Sequence, residues 1–206
     1  MEKIANELKG INTVAIAGHV RPDGDCVGSC MGLYLYLKEN YPDIAADVYL
    51  EQPGAQFSFL SCFEEIKTVY QTGKVYDLLI TLDVSDKNRI GVAEEAYETA
   101  KKRVCIDHHI SNGSFADVNV VDAQASSACE VLYRTLEDDK ISKDTAACIY
   151  TGIVHDTGVF KYSSTSAQTM LIAGKMMEKG IDYSDIIDNS FYAKTYIQNQ
   201  ILGRAL

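Results

Sequence analysis

His19-Val20-Arg21-Pro22-Asp23-Gly24-Asp25 puts one imidazole and two carboxylates within seven residues, on a backbone that Pro22 and Gly24 make too irregular for strand or helix. Similar side chains recur where other apolar stretches end: Asp83 after Leu78–Leu82, Asp107-His108-His109 after Val104–Ile106, and His155-Asp156 after a helical stretch. A lone Asp at a strand end is ordinarily a cap or turn residue. Here all four histidines, His19, His108, His109 and His155, fall in clusters that also carry acids. That coincidence favours metal ligation. Carboxylate with imidazole and no thiolate suits Mn²⁺ or Mg²⁺, with Fe, Co or Zn open on softness alone. Two such ions roughly 3.5–4 Å apart lower the pKa of a bridging water and clamp the attacking and leaving oxygens of a displacement at phosphorus.

The elements that must position these groups alternate. Thr13–Ala17, Ala46–Leu50, Leu78–Leu82, Val104–Ile106 and Val118–Val121 read as short buried strands, and Ile66–Tyr70 as an edge strand. Between and around them, helices are expected over Glu2–Lys9, Cys26–Asn40, Val92–Lys102, Ser126 or Ser127 to about Glu137, Ser142 into His155, and Ser166–Lys179. Gly28, Ser29 and Gly32 leave one side of the second helix small, suited to close packing on a strand. The alternation predicts an α/β fold, an open, mainly parallel sheet with helices on both faces. In such a sheet the carboxyl ends of parallel strands share one edge, so His19, Asp23, Asp25, Asp83, Asp107, His108 and His109 can converge there.

With 206 residues, 47% hydrophobic and 23% charged, the chain has the composition of one substantial folded domain. A formal charge of -10 argues against a basic groove for long duplex nucleic acid but permits a short nucleic acid or a small phosphorylated nucleotide, because bound cations offset the carboxylates locally. The six cysteines form no CxxC pair, and no cationic, apolar leader or membrane-length run stands out, so a cytoplasmic protein with no membrane association is expected. Gly18 to Gly28 lacks the GxGxxG spacing of a dinucleotide-binding turn.

Four spaced stretches carry a family resemblance: HVRPDGDCVGS (His19 to Ser29), LDVSDKNRIG (Leu82 to Gly91), CIDHHISN (Cys105 to Asn112) and GIVHDTGVFKYSST (Gly152 to Thr165). Together, in this order, they resemble the motifs of the DHH phosphoesterases, a RecJ-like superfamily. The first and last look most like the branch of nanoRNases and pAp phosphatases, the bifunctional oligoribonucleases.

The resemblance implies a phosphoesterase acting on short oligoribonucleotides or 3′-phosphoadenosine 5′-phosphate through two divalent ions, Mn²⁺ first, with Mg²⁺ or Co²⁺ as substitutes. One ion would be held by His19, Asp23 and Asp83, the other by Asp25, Asp83, His108 and Asp156, with Asp83 bridging. Asp107 would orient an imidazole, while His109 would act with Asp83 in catalysis by facing the scissile phosphate. Ser126, Ser127, Arg89 and Lys161 are weaker candidates for substrate contact; Lys161 stands where arginine is common in the motif. The resemblance also divides the chain into a DHH catalytic domain over 1–190 and, over 191–206, the start of a connecting helix toward a second, substrate-binding domain whose glycine-rich motif does not occur before Leu206. A homodimer is compatible with this reading. Manganese-dependent inorganic pyrophosphatases or exopolyphosphatases and phosphodiesterases of cyclic dinucleotides share the ligand logic. A regulatory nucleotide-binding module is the rival outside the enzymes.

Overall fold

The computed structural model describes residues 3–194 and 196–205. Five strands form one parallel sheet: β1 (Thr13–Ala17), β2 (Ala45–Tyr49), β3 (Leu78–Leu82), β4 (Lys102–Asp107) and β5 (Val118–Val121), in the order β2-β1-β3-β4-β5. Around it lie α1 (Ile4–Glu7), α2 (Gly24–Asn40), α3 (Glu94–Thr99), α4 (Ala128–Thr135), α5 (Lys143–Asp156), α6 (Ala167–Glu178), α7 (Tyr183–Ile186), a π-helical turn over Ile187–Tyr192, and α8 (Tyr196–Ala205).

Strand alternation sends side chains to two cores. Val14, Ile16, Leu78, Ile80 and Leu82 face the larger one, shared with α2, α4 and α5, whereas Ala15, Ala17 and Leu79 face a smaller one covered by Tyr49, Tyr76, Ile90 and the α3 residue Ala96. Both faces are therefore covered, which is why β3 is buried along its whole length. Helix α2, buried from Gly24 to Leu37, is itself sandwiched between the sheet and α5. The small side of α2 meets α5 rather than a strand: a Cβ on Gly28 would come within 2.9 Å of the Gly152 nitrogen and 2.5 Å of the Cys148 carbonyl oxygen.

Several sequence-based bounds shift. The expected edge strand over Ile66–Tyr70 reduces to one bridge, Tyr49 with Lys67, because Lys67 exchanges hydrogen bonds with Val48 and Leu50 and the chain then turns through Gln71–Lys74. The expected helix Val92–Lys102 is a 3₁₀ turn, Gly91–Ala93, followed by α3. Its last residues are drawn into the sheet instead, since Lys101 and Lys102 donate to the Tyr76 and Asp77 carbonyls. Of the helix expected over Glu2–Lys9, Glu2 lies outside the described residues and the rest forms α1 over Ile4–Glu7, and α4 stops at Thr135, where Leu136 is extended. No helix among the described residues is long and apolar enough to cross a membrane.

Candidate metal centre

The strand order changes direction at β1, so a crevice opens between the carboxyl ends of β1 and β3. His19 follows β1 and Asp83 follows β3, one on each side of it. Asp83 has φ +58°, a left-handed conformation that aspartate tolerates better than a branched residue and that turns the chain abruptly at the strand end. Its Oδ2 lies 3.3 Å from His19 Nε2, and its Oδ1 lies 3.5 Å from His108 Nε2 and 3.6 Å from His109 Nδ1. That Oδ1 is buried and, among the described residues, has no hydrogen-bond partner.

The opening motif divides its acids between two surroundings. Asp23 is the N-cap of α2: its Oδ1 accepts from the Asp25 and Cys26 amides, both at 3.1 Å, leaving Oδ2 at 3.7 Å from His19 Nε2. His19 Nδ1 is 2.8 Å from the Val20 carbonyl, which can only accept. Its Nδ1 proton is thereby committed, and Nε2 is the nitrogen turned to the carboxylates. Asp25 points the other way, fully buried, accepting from the first two amides of α4 at 2.6 Å (Ala128) and 3.0 Å (Cys129). His108 Nε2 stands 3.8 Å from Asp25 Oδ2 and 3.2 Å from Asp156 Oδ2, so three carboxylates face it, Asp83 being the third.

His109 has a different setting. Its Nδ1 is 2.7 Å from Asp107 Oδ1, and Asp107 Oδ2 accepts at 2.7 Å from the Asn112 amide, which also donates to the Val84 carbonyl. Asp107 is fully buried while the His109 side chain is 36% exposed, so the held imidazole borders solvent. Asn112 was not among the sequence candidates; its place three residues after His109, before Gly113, was the available signal.

Electrostatics follow from crowding acids around few cations. Burial pushes the Asp156 carboxyl up to about 7, reinforced by the charges of Asp83 and Asp23, and burial with the same kind of repulsion raises Asp25 well above the carboxylate range. For Asp23 burial also acts upward, but the neighbouring His19 imidazole and the α2 amides outweigh it and hold the group at about 2. Burial opposes charge on His108, yet the Asp83 carboxylate 3.5 Å away and the charges of Asp25 and Asp156 lift it to about 10. His109 is raised chiefly by its bond to Asp107. Five carboxylates, Asp23, Asp25, Asp83, Asp107 and Asp156, outnumber the three imidazoles His19, His108 and His109. A divalent cation would offset that excess, and Asp83 Oδ1, without a hydrogen bond among the described residues, together with this oxygen and imidazole donor set fits such an ion.

The remaining candidates lie elsewhere. Ser126 and Ser127 are buried and their polar atoms serve Glu130: Ser126 donates to its carboxylate and Ser127 caps α4 by accepting its amide, which argues against substrate contact. Arg89 is exposed and its carbonyl accepts from Val20, tying the 3₁₀ turn Lys87–Arg89 to the opening motif. Lys161 is exposed beyond α5, after Gly158, Val159 and Phe160, three successive residues with positive φ. Among the described residues neither side chain makes an ion pair. His155 packs against Phe57 and Phe191 and bonds Ser190 Oγ at 3.1 Å; a Cβ on Gly24 would run into its ring. Cys26, missed by the sequence reading, brings Sγ within 4.8 Å of donor atoms of His19 and Asp83, but burial pushes its thiol well above the ordinary range.

Comparison with known proteins shows the family. The bifunctional oligoribonuclease and PAP phosphatase NrnA of Bacillus subtilis is 30% identical over 189 residues, 89% of this chain and 58% of that protein. The chain thus spans somewhat more than half the length of that relative. A probable manganese-dependent inorganic pyrophosphatase of Streptococcus thermophilus is 24% identical over 175 residues, 81% of this chain and 55% of that protein. The crystal structure of an exopolyphosphatase-related protein from Bacteroides fragilis superposes with a TM-score of 0.88 at 25% identity, covering 98% of this chain and 62% of that one. The model of the DHH family, N-terminal domain, matches residues 13–153, and the chain belongs to that family.

Proposed function

We propose that this chain is the catalytic domain of a metal-dependent phosphoesterase acting on short oligoribonucleotides or 3′-phosphoadenosine 5′-phosphate, with two divalent ions, Mn²⁺ foremost. The observation that carries the reading is Asp83, whose two oxygens face His19 and His108 separately while one of them, buried, has no hydrogen-bond partner among the described residues. His19 and Asp23 complete a first subsite; Asp25, His108 and Asp156 complete a second. Ions bound there would supply a nucleophilic water near neutral pH and neutralise charge at the phosphoryl oxygens. His109, clamped at Nδ1 by Asp107, keeps Nε2 free to hydrogen-bond the phosphate or to protonate the leaving oxygen. The left-handed turn at Asp83 and the capped start of α2 hold these groups in place, the preorganisation such chemistry needs. The similarity to NrnA favours short RNA and the 3′-phosphorylated nucleotide over pyrophosphate, and the similarity to a manganese-dependent pyrophosphatase favours manganese.

Initial rates on a diadenosine dinucleotide, 3′-phosphoadenosine 5′-phosphate and pyrophosphate, each with Mn²⁺, test the proposal. Turnover of either of the first two is expected. Pyrophosphate as the sole good substrate refutes it.

A further inference from the structure

Glu130 is fully buried, carries a carboxylate, and lies outside the proposed ligand set. Its Oε2 accepts from the Ser126 amide at 3.1 Å, the Ser126 hydroxyl at 2.7 Å and the Thr169 hydroxyl at 2.8 Å. Its Oε1 pairs with Arg134, whose other nitrogen is 2.5 Å from Asp122 Oδ2. One side chain thus joins the end of the 122–127 connection, the first turn of α6 and the body of α4. A carboxylate, which offers only lone pairs, matches this ring of donors; an amide does not.

The amides at the start of α4 are fully accounted for. Ala128 and Cys129 donate to Asp25, and Glu130 donates to Ser127 Oγ. Asp25 therefore acts as a second cap of α4, supplied from another helix, and takes its orientation from where that helix begins. Glu130 fixes that beginning through Ser126. His19 and Asp23 owe nothing to it: they are set by β1, by the Val20 carbonyl and by the amides of α2.

We propose that Glu130 is a positioning residue for the second metal subsite, acting on Asp25 through the Ser126–Cys129 backbone. The inference rests on the binuclear reading above. It requires asymmetry: loosening Glu130 weakens the ion held by Asp25 and spares the ion held by His19 and Asp23.

Calorimetric Mn²⁺ titration of the wild type, Glu130→Gln and Thr169→Val, with thermal unfolding of each, tests it. The wild type is expected to bind two ions. Glu130→Gln should weaken one of them about tenfold, as loss of an outer partner does, and leave the other nearly unchanged. Thr169→Val, which removes one donor to the same oxygen, should weaken the same ion by less. If Glu130→Gln does not fold, Thr169→Val decides alone. A wild type with two ions and variants that lose neither, or lose both equally, overturns the role of Glu130. A wild type binding fewer than two ions overturns the binuclear reading, and the inference with it.

Discussion

His108 Nε2 stands 3.5 Å from Asp83 Oδ1, a buried oxygen with no hydrogen-bond partner among the described residues, while the other oxygen of the same carboxylate lies 3.3 Å from His19 Nε2. Leaving a buried acceptor unsatisfied costs about 1–3 kcal/mol. Asp83 is the group that the two proposed subsites have in common.

Asp83→Asn should therefore reduce Mn²⁺ content at both subsites, whereas His109→Ala should leave metal content near wild type and cut turnover by about a hundredfold or more, the usual scale for a lost general acid. Metal analysis after Mn²⁺ incubation, paired with rates on a dinucleotide, checks both. Equal metal loss in the two variants contradicts the assignment.

Asn112 donates to Asp107, which holds His109. Asn112→Ala should lower kcat by roughly tenfold, less than His109→Ala, with Mn²⁺ content unchanged. A variant as active as wild type shows that Asp107 needs no support.

Two glycines should respond with opposite signs. Gly28→Ala drives a Cβ into the α5 backbone at Cys148 and Gly152, so a loss of about 1–3 kcal/mol is expected. Gly174, inside α6, has nothing within 4 Å of a would-be Cβ, and Gly174→Ala should gain about 0.5–1 kcal/mol. Chemical denaturation of the two variants measures both.

Asp77 joins the starts of β1, β3 and β4, accepting from the Asn12 and Thr13 amides and pairing with Lys101. The Lys101 hydrogen bond, helped by those amides, holds its carboxyl at about 2. A depressed folded-state value means stabilisation that is complete above the unfolded value, about 3.9, and lost as pH falls through the folded one. Wild type should thus exceed Asp77→Asn in Tm at pH 5, with the difference shrinking as pH falls from about 4 and gone below about 2. A difference that persists at the lowest pH counts against this role.

Each group of active-site candidates was legible because apolar runs end abruptly in ionisable residues. Val14–Ala17, Leu78–Leu82 and Val104–Ile106 offer few alternatives to buried parallel strands, and the acids and imidazoles that follow them must then lie at one edge. Residue types also fixed the donor chemistry, carboxylate with imidazole. Less legible were the edges of elements, where a few long-range hydrogen bonds decide. Lys67 makes one bridge and no strand, and Lys101 and Lys102 leave a helical pattern for the sheet.

What the sequence by itself determined is the alternation of strands and helices and the identity of the ionisable groups, because periodicity and side-chain chemistry are local properties. Tertiary structure alone decided how those groups are shared: that Asp23 caps its own helix while Asp25 caps α4, that Asp83 faces three imidazoles, and that Ser126 and Ser127 serve Glu130. These relations depend on which amides and carboxylates meet after packing, and residues far apart in the chain supply the two sides of each.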